Sequence, residues 1–441
     1  MSNINRKTLA GLLIMMMILL SILKGLADFP GERVIAVMAG ISGWIAGLLL
    51  FIDASRALKI QAGILILLGL ILSIFAMTRG HAPDLFLLAT LNTALLSMIA
   101  AVGFLRLVTL PRENTASNLP RGPAAFFRTM LGLSFSSSIT NISAPIVVCD
   151  RIHATRPVNR YMASCSTRVF CGAASWSPFY GAMAVVLTYS PQADLLWLIF
   201  AGMPVCIAGL VYVCSTAWRF HKHELSDFVG YPLQGRDVRI PLVLICTCLF
   251  GYLLFAKSSI LAIIASCALL VTAATLVLRY GLISAISQMG EFVAEGLPRM
   301  VSELTLFLSA GVLAVGIIAL IELDLVEFHI TNYSTITIVS VLVGMVVLSA
   351  IGIHPVIQIA SLSPILLESS PSANLIGATW LFAWHLGTCS SYLSGTNLIF
   401  QGRYDIPSWR IAMDNWPYSV TLVVLGSIWL VTLNHYLPAF Q

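Results

Sequence analysis

Apolar runs of about 20 residues follow one another from end to end of the chain, each long enough to cross a hydrocarbon core of roughly 30 Å. Basic residues collect in the short segments between them, and alternating inside and outside loops by that signal gives a consistent path. Helices are predicted at about 8–27, 33–52, 60–77 and 84–108. Arg56 and Lys59 mark one cytoplasmic loop, and Arg106, Arg112, Arg121 and Arg128 mark the next. The alternation then fails. The hydrophobic segment at about 124–150 has basic residues on both flanks, with Arg151, Arg156, Arg160 and Arg168 following it. A re-entrant hairpin that enters and leaves on the cytoplasmic side resolves the conflict. A helix at about 162–188, interrupted at Ser175, Trp176, Ser177 and Pro178, and another at about 195–217 complete a first repeat over 31–217.

A charged stretch, 218–240, reads as a cytoplasmic linker. The second repeat, 241–441, follows the same plan upside down. Helices fall at about 240–256 and 259–279, an amphipathic stretch at 287–299 lies inside, and a helix at about 303–321 leads to an acidic outer loop with Glu322, Asp324 and Glu327. The span 334–370 has no basic residue to mark a cytoplasmic end. It reads as a second hairpin, entered from outside and turning at Gly352, Ile353, His354 and Pro355. A broken helix at about 373–398 and a last helix at about 418–437 follow. Pro145 and Pro355, each placed to start a returning half-helix, stand 210 residues apart and Ser177 and Ser394 stand 217 apart, near-constant offsets of the kind a duplicated unit leaves. The expected fold is therefore an all-α polytopic membrane protein of about 11 transmembrane helices. It has an inverted 5+5 repeat with two re-entrant hairpins and two broken helices, and an extra N-terminal helix in 1–30.

Composition agrees. Of the 441 residues, 58% are hydrophobic and only 10% charged, and the mean hydropathy is +0.93, which excludes an ordinary soluble globule. The net charge of +5 sits in loops and speaks for topology rather than for nucleic acid. Nine cysteines without CxxC pairs read as packing residues. Arg6 and Lys7 precede the first apolar run with no small-x-small cleavage signal after it, so that run is expected to stay as a helix with the N-terminus inside and the C-terminus outside.

Two polar clusters interrupt this lipid-like composition. SFSSSITNISAP, Ser134 to Pro145, lies in the first hairpin, and GTCSSYLSGTN, Gly387 to Asn397, lies in the second broken helix. Hydroxyls and amides at membrane depth are costly unless they line a cavity or bind something. Inverted repeats whose broken helices meet at the midplane are the signature of secondary transporters. Each hairpin tip brings a half-helix C-terminus, with free carbonyls, against an N-terminus with free N–H groups. Carbonyl, hydroxyl and amide oxygens suit a small hard cation, and N–H groups suit an anion. One cation is placed on Ser137, Ser138, Thr140 and Asn141, and another on the side of Thr388, Ser394, Thr396 and Asn397. The substrate lies between, touching Ser143, Ser177, His354 and Thr396. No Asp or Glu falls at the predicted midplane, which favours Na+ as coupling ion over a histidine-borne H+. No buried Lys or Arg clearly balances a multiply charged anion. Arg128 and Arg168 are read chiefly as cytoplasmic anchors and His385 as a packing residue, so the substrate class is a small organic anion of low charge.

The plan resembles the ion transporter superfamily and, within it, the divalent anion:sodium symporter type, over nearly the whole chain. That family carries Ser-Asn-Thr at both tips and a Thr-Pro-Pro-Asn-like break. Here the tips read Ser138, Ile139, Thr140, Asn141 and Gly352, Ile353, His354, Pro355, and the breaks read Ser175, Trp176, Ser177, Pro178 and Ser394, Gly395, Thr396, Asn397. The resemblance implies an elevator mechanism in the inner or plasma membrane, with a scaffold that forms a homodimer and no cofactor beyond the ion. The alternatives are a cation/proton antiporter of the same superfamily, an exporter of a larger amphiphile, and an acyltransferase-like intramembrane enzyme using His354 or His385.

Overall fold

The computed structural model describes residues 5–27, 30–109, 120–154, 156–220, 222–230, 235–255, 258–323, 335–368 and 372–441. Arg112, Asp324 and Glu327, and the linker residues 231–234, lie outside them. Among the described residues the protein is all α-helical, with one isolated β-bridge between Arg121 and Val229. In chain order the helices are α1 (Arg6–Leu26), α2 (Glu32–Phe51), α3 (Arg56–Thr78), α4 (Leu85–Thr90), α5 (Thr93–Gly103), α6 (Arg106–Thr109) and α7 (Pro123–Thr140). There follow α8 (Ser143–His153), α9 (Arg160–Gly172), α10 (Gly181–Tyr189), α11 (Leu195–Phe220), α12 (Lys222–Ser226), α13 (Gly235–Leu254) and α14 (Ile260–Tyr280). The last are α15 (Leu282–Glu291), α16 (Val301–Ile321), α17 (Thr335–Ala350), α18 (Pro355–Glu368), α19 (Ala373–Ser390), α20 (Gly395–Tyr404) and α21 (Ser408–Tyr436).

Among the described residues, eight stretches are long and apolar enough to cross a membrane, and they coincide with predicted helices one to four, six, eight, nine and eleven. The seventh is α13, whose apolar part, Leu242–Leu254, is shorter. The fifth and tenth are the two broken ones. The helix expected at 84–108 is interrupted at Leu91 and Asn92, and the Asn92 amide there donates to the Phe307 carbonyl at 2.7 Å. The last helix starts at Ser408, ten residues before its predicted start. Pro417 lies inside α21, and the polar residues before it belong to the helix.

The helices gather into two compact units, each drawing on both halves of the sequence. One unit holds 1–109, 242–330 and 359–368. Here α3 crosses α16 so closely that a Cβ on Gly69 would stand 2.5 Å from the Val312 carbonyl oxygen, the small-residue contact by which membrane helices approach. The opposite side of α3 leaves Ile60, Ile64, Leu67, Leu68, Ile71 and Ile74 uncovered, a face suited to lipid chains.

The other unit holds 110–241, 331–358 and 369–441. The same sequence of elements occurs twice, the first copy wholly within this unit and the second within it except for 359–368 of α18. The helices after the tips begin at 143 and 355, 212 apart. The first parts of the broken helices begin at 160 and 373, 213 apart, the second parts at 181 and 395, 214 apart, and the helices that follow at 195 and 408, 213 apart. At 1.5 Å per residue the 11-residue α8 is about 16 Å long, roughly half a hydrocarbon core, as a re-entrant arm requires.

Candidate ion and substrate site

All eleven residues expected to form the site lie in the second unit, at the two tips and the two breaks. The first tip is the turn between α7 and α8. Asn141 makes it with φ of 55° and ψ of −139°, a positive-φ backbone uncommon outside glycine. Its carbonyl accepts the Ala144 amide at 3.1 Å, which starts α8 at Ser143, two residues before the proline expected to open it. The Ser138 hydroxyl donates back to Phe135 O at 2.7 Å and that of Thr140 to Ser136 O at 3.0 Å. Ser137 and Ser143 differ. Both are buried, and neither hydroxyl has a hydrogen-bond partner. Buried polar groups are nearly always satisfied, so two orphans at one tip make it a candidate site.

The first break spans residues 176–180, between a short 3₁₀ turn at Ala173–Ser175 and α10. Fully buried Ser177 joins break to tip. Its hydroxyl donates to Ser138 O at 2.5 Å and accepts the Phe179 amide at 3.2 Å. Across the break runs α11, where a Cβ on Gly202 would stand 1.7 Å from Ser175 O. Only a glycine permits that approach.

The second tip, between α17 and α18, turns at Gly352, with φ of 105°. It too meets its break, because a Cβ on Gly352 would lie 2.6 Å from Leu393 Cδ1. Pro355 opens α18 as predicted. His354 accepts the Val356 amide on Nδ1 at 3.2 Å, which leaves the proton of the neutral ring on Nε2. The ring is partly exposed and meets Trp384 edge-on at 5.2 Å between centroids. Thr388, one turn further along α19 than Trp384, is buried with its hydroxyl unpartnered. Gln358, unremarked in the sequence, locks the turn by donating to Met345 O, Ser349 Oγ and Ile353 O.

The second break comes earlier than its sequence suggested, at Ser391–Ser394. Ser394 caps α20 by accepting the Asn397 amide at 3.3 Å, and Thr396 and Asn397 sit in the first turn, both buried. The Asn397 side chain, expected as a cation ligand, is committed within the protein. Its Nδ2 donates to Ser391 O at 2.8 Å and Cys389 O at 3.3 Å, and its Oδ1 accepts from Thr167 at 3.3 Å.

Arg168 corrects the sequence reading. It is not a surface anchor but lies in the last two turns of α9, 7% exposed. Its Nε donates to Asn415 Oδ1 at 2.8 Å and its Nη2 to Asp414 O at 2.5 Å, while the Tyr212 and Tyr418 rings face the guanidinium at 6.0 and 5.7 Å. The signal was present, since a basic residue sits in the small, buried run CSTRVFCG. Asn415 lay just outside the predicted last helix. His385 is wholly buried, with Nε2 2.8 Å from the Tyr418 hydroxyl and Nδ1 3.5 Å from Ser175 Oγ, which suits packing better than chemistry. At the far end of the hairpin Asp150 holds Arg403 through two bonds of 2.6 Å and the Tyr404 hydroxyl at 2.8 Å.

A hairpin tip against a broken helix, twice in one unit, is an architecture of membrane carriers. The chain has the fold of a solved one. It matches the crystal structure of the YdaH transporter of Alcanivorax borkumensis, described as having an unusual topology, with a TM-score of 0.51 over 86% of this chain and 99% of that one. The identity is 12%, so the likeness is one of fold. No protein-family model matches the sequence. No curated protein matches it either.

Proposed function

We propose that this protein is a secondary active carrier that moves a small organic anion across the inner or plasma membrane, coupled to Na+. One observation carries the reading. Three buried hydroxyls without partners, Ser137, Ser143 and Thr388, fall among the tip and break residues, where the carbonyl and N–H ends of half-helices converge. In this reading Na+ takes oxygens of the first tip, from Ser137, Ser138, Thr140 and Asn141. The anion meets N–H donors, with His354 offering Nε2–H beside Trp384, and Ser143, Ser177 and Thr396 complete its surroundings. The unit bearing both tips moves as an elevator while the other serves as a scaffold and dimerises. The N-terminus is inside and the C-terminus outside, and the repeat is inverted.

The test is a thermal-shift screen of the purified protein against a library of small organic anions, run in parallel in sodium and choline buffers. Ions and substrate that share a site stabilise the fold by mass action and strengthen one another's binding. An anion that raises the melting temperature in sodium but not in choline is the expected result. Anions acting equally in both buffers would remove the sodium coupling, and a response to sodium alone would favour a cation antiporter.

A further inference from the structure

The two breaks differ in how their oxygens are engaged. At the second, a continuous set of hydrogen bonds closes on itself. Thr167 donates to Asn397, Asn397 and Asn415 both donate to Cys389 O, Asn397 also donates to Ser391 O, and Arg168, next to Thr167 in α9, donates to Asn415. The oxygens from which a cation cage would be built there, Cys389 O, Ser391 O and Asn397 Oδ1, therefore each already accept a proton donor. Ser394 Oγ accepts another. Thr388 Oγ1 is unpartnered, but one hydroxyl on the face of α19 that carries Trp384 does not make a cation site.

The set includes a full positive charge. Among the described residues no carboxylate pairs with Arg168, because the Asp414 carboxylate takes Arg160 and the Ser164 hydroxyl instead. A buried guanidinium without a counter-ion is expensive unless dipoles surround it. Here it has the Asn415 amide oxygen, the Asp414 carbonyl and two tyrosine faces. It also lies one amide away from Cys389 O, next to last in α19, where unsatisfied carbonyls give a helix end its partial negative charge. Polarised by the guanidinium, the Asn415 amide donates more strongly to that carbonyl. At the first tip, among the described residues, no basic side chain donates a hydrogen bond, and Ser137 and Ser143 remain unpartnered.

We propose that Arg168 is a built-in cation that occupies the electrostatic place of a second coupling ion, so that the chain binds one Na+, at the first tip, rather than two. The proposal rests on the sodium reading above and sharpens its stoichiometry. It is tested by radiosodium alone, measured as ions bound per chain at saturation on the purified protein, with choline keeping ionic strength constant. One ion per chain is expected. Binding should vanish when Ser137→Ala and Ser138→Ala are combined and persist in Ser394→Ala. Arg168→Lys should keep one ion per chain, whereas Arg168→Gln should admit a second. Two ions per chain in the unaltered protein, or loss of binding in Ser394→Ala with the double serine variant unaffected, overturns the proposal and leaves the sodium reading standing. An unaltered protein that binds no radiosodium overturns both. Should Arg168→Gln fail to fold, the stoichiometry of the unaltered protein and the serine variants still decide.

Discussion

The two tip-and-break pairs stand at nearly constant offsets in sequence and meet in the same manner, yet their polar atoms are spent differently. At the first, hydroxyls that could have turned to backbone carbonyls stay unpartnered, at Ser137 and Ser143. At the second, two asparagines, a threonine and an arginine satisfy the loose ends of α19 from within the protein. A duplicated plan fixes where half-helices meet. It does not fix whether their free groups are kept for a ligand or used for stability, because one or two side chains on neighbouring helices decide that.

Four substitutions would break or sharpen the contrast. Gly202→Leu should have the largest effect. It forces a side chain onto the Ser175 carbonyl, costs about 3 kcal/mol or more, and should appear as loss of monodisperse protein in size-exclusion chromatography. Asn397→Ala comes next, with about 2–3 kcal/mol lost because Cys389 O and Ser391 O lose a buried donor, read as a lower melting temperature. Gly352→Ala should cost about 1–2 kcal/mol for a left-handed backbone, and it presses on Leu393, so unfolding should begin earlier while secondary structure by circular dichroism is unchanged. Ser137→Ala should change stability by less than about 0.5 kcal/mol, since no protein bond is lost, while sodium no longer shifts the melting temperature. If Ser137→Ala destabilised the fold as much as Asn397→Ala, the two pairs would not differ in the way described.

Much of this was legible in the sequence because membrane helices are specified by length and hydropathy, and half-helices by what interrupts them. Pro355 opens α18, Gly352 makes the turn before it, and the serines around Ser137 lead α7 into the first tip, where Asn141 turns the chain. The misplacements also have physical causes. Pro417 is tolerated inside α21, where the polar residues beside it bond to α9 instead of to water. In the sequence Arg168 reads as a cytoplasmic anchor because a buried guanidinium is rare, and its acceptors come from a helix almost 250 positions away in the chain. The interruption at Asn92 stands on a single side-chain bond to Phe307.

By itself, the sequence determined the membrane class, the run of spans, the two tips and the residue types gathered at them, since each follows from local hydropathy and backbone preference. Only the tertiary structure decided which polar atoms are satisfied and which are left open. A hydroxyl or an amide carries the same donors and acceptors wherever it stands, and whether they are used depends on partners that sequence distance does not reveal. Ser137 and Asn397 are both polar and buried at the end of a half-helix, and it is Thr167, brought up by the fold from 230 residues away to join the nearby carbonyls of Cys389 and Ser391, that sets them apart.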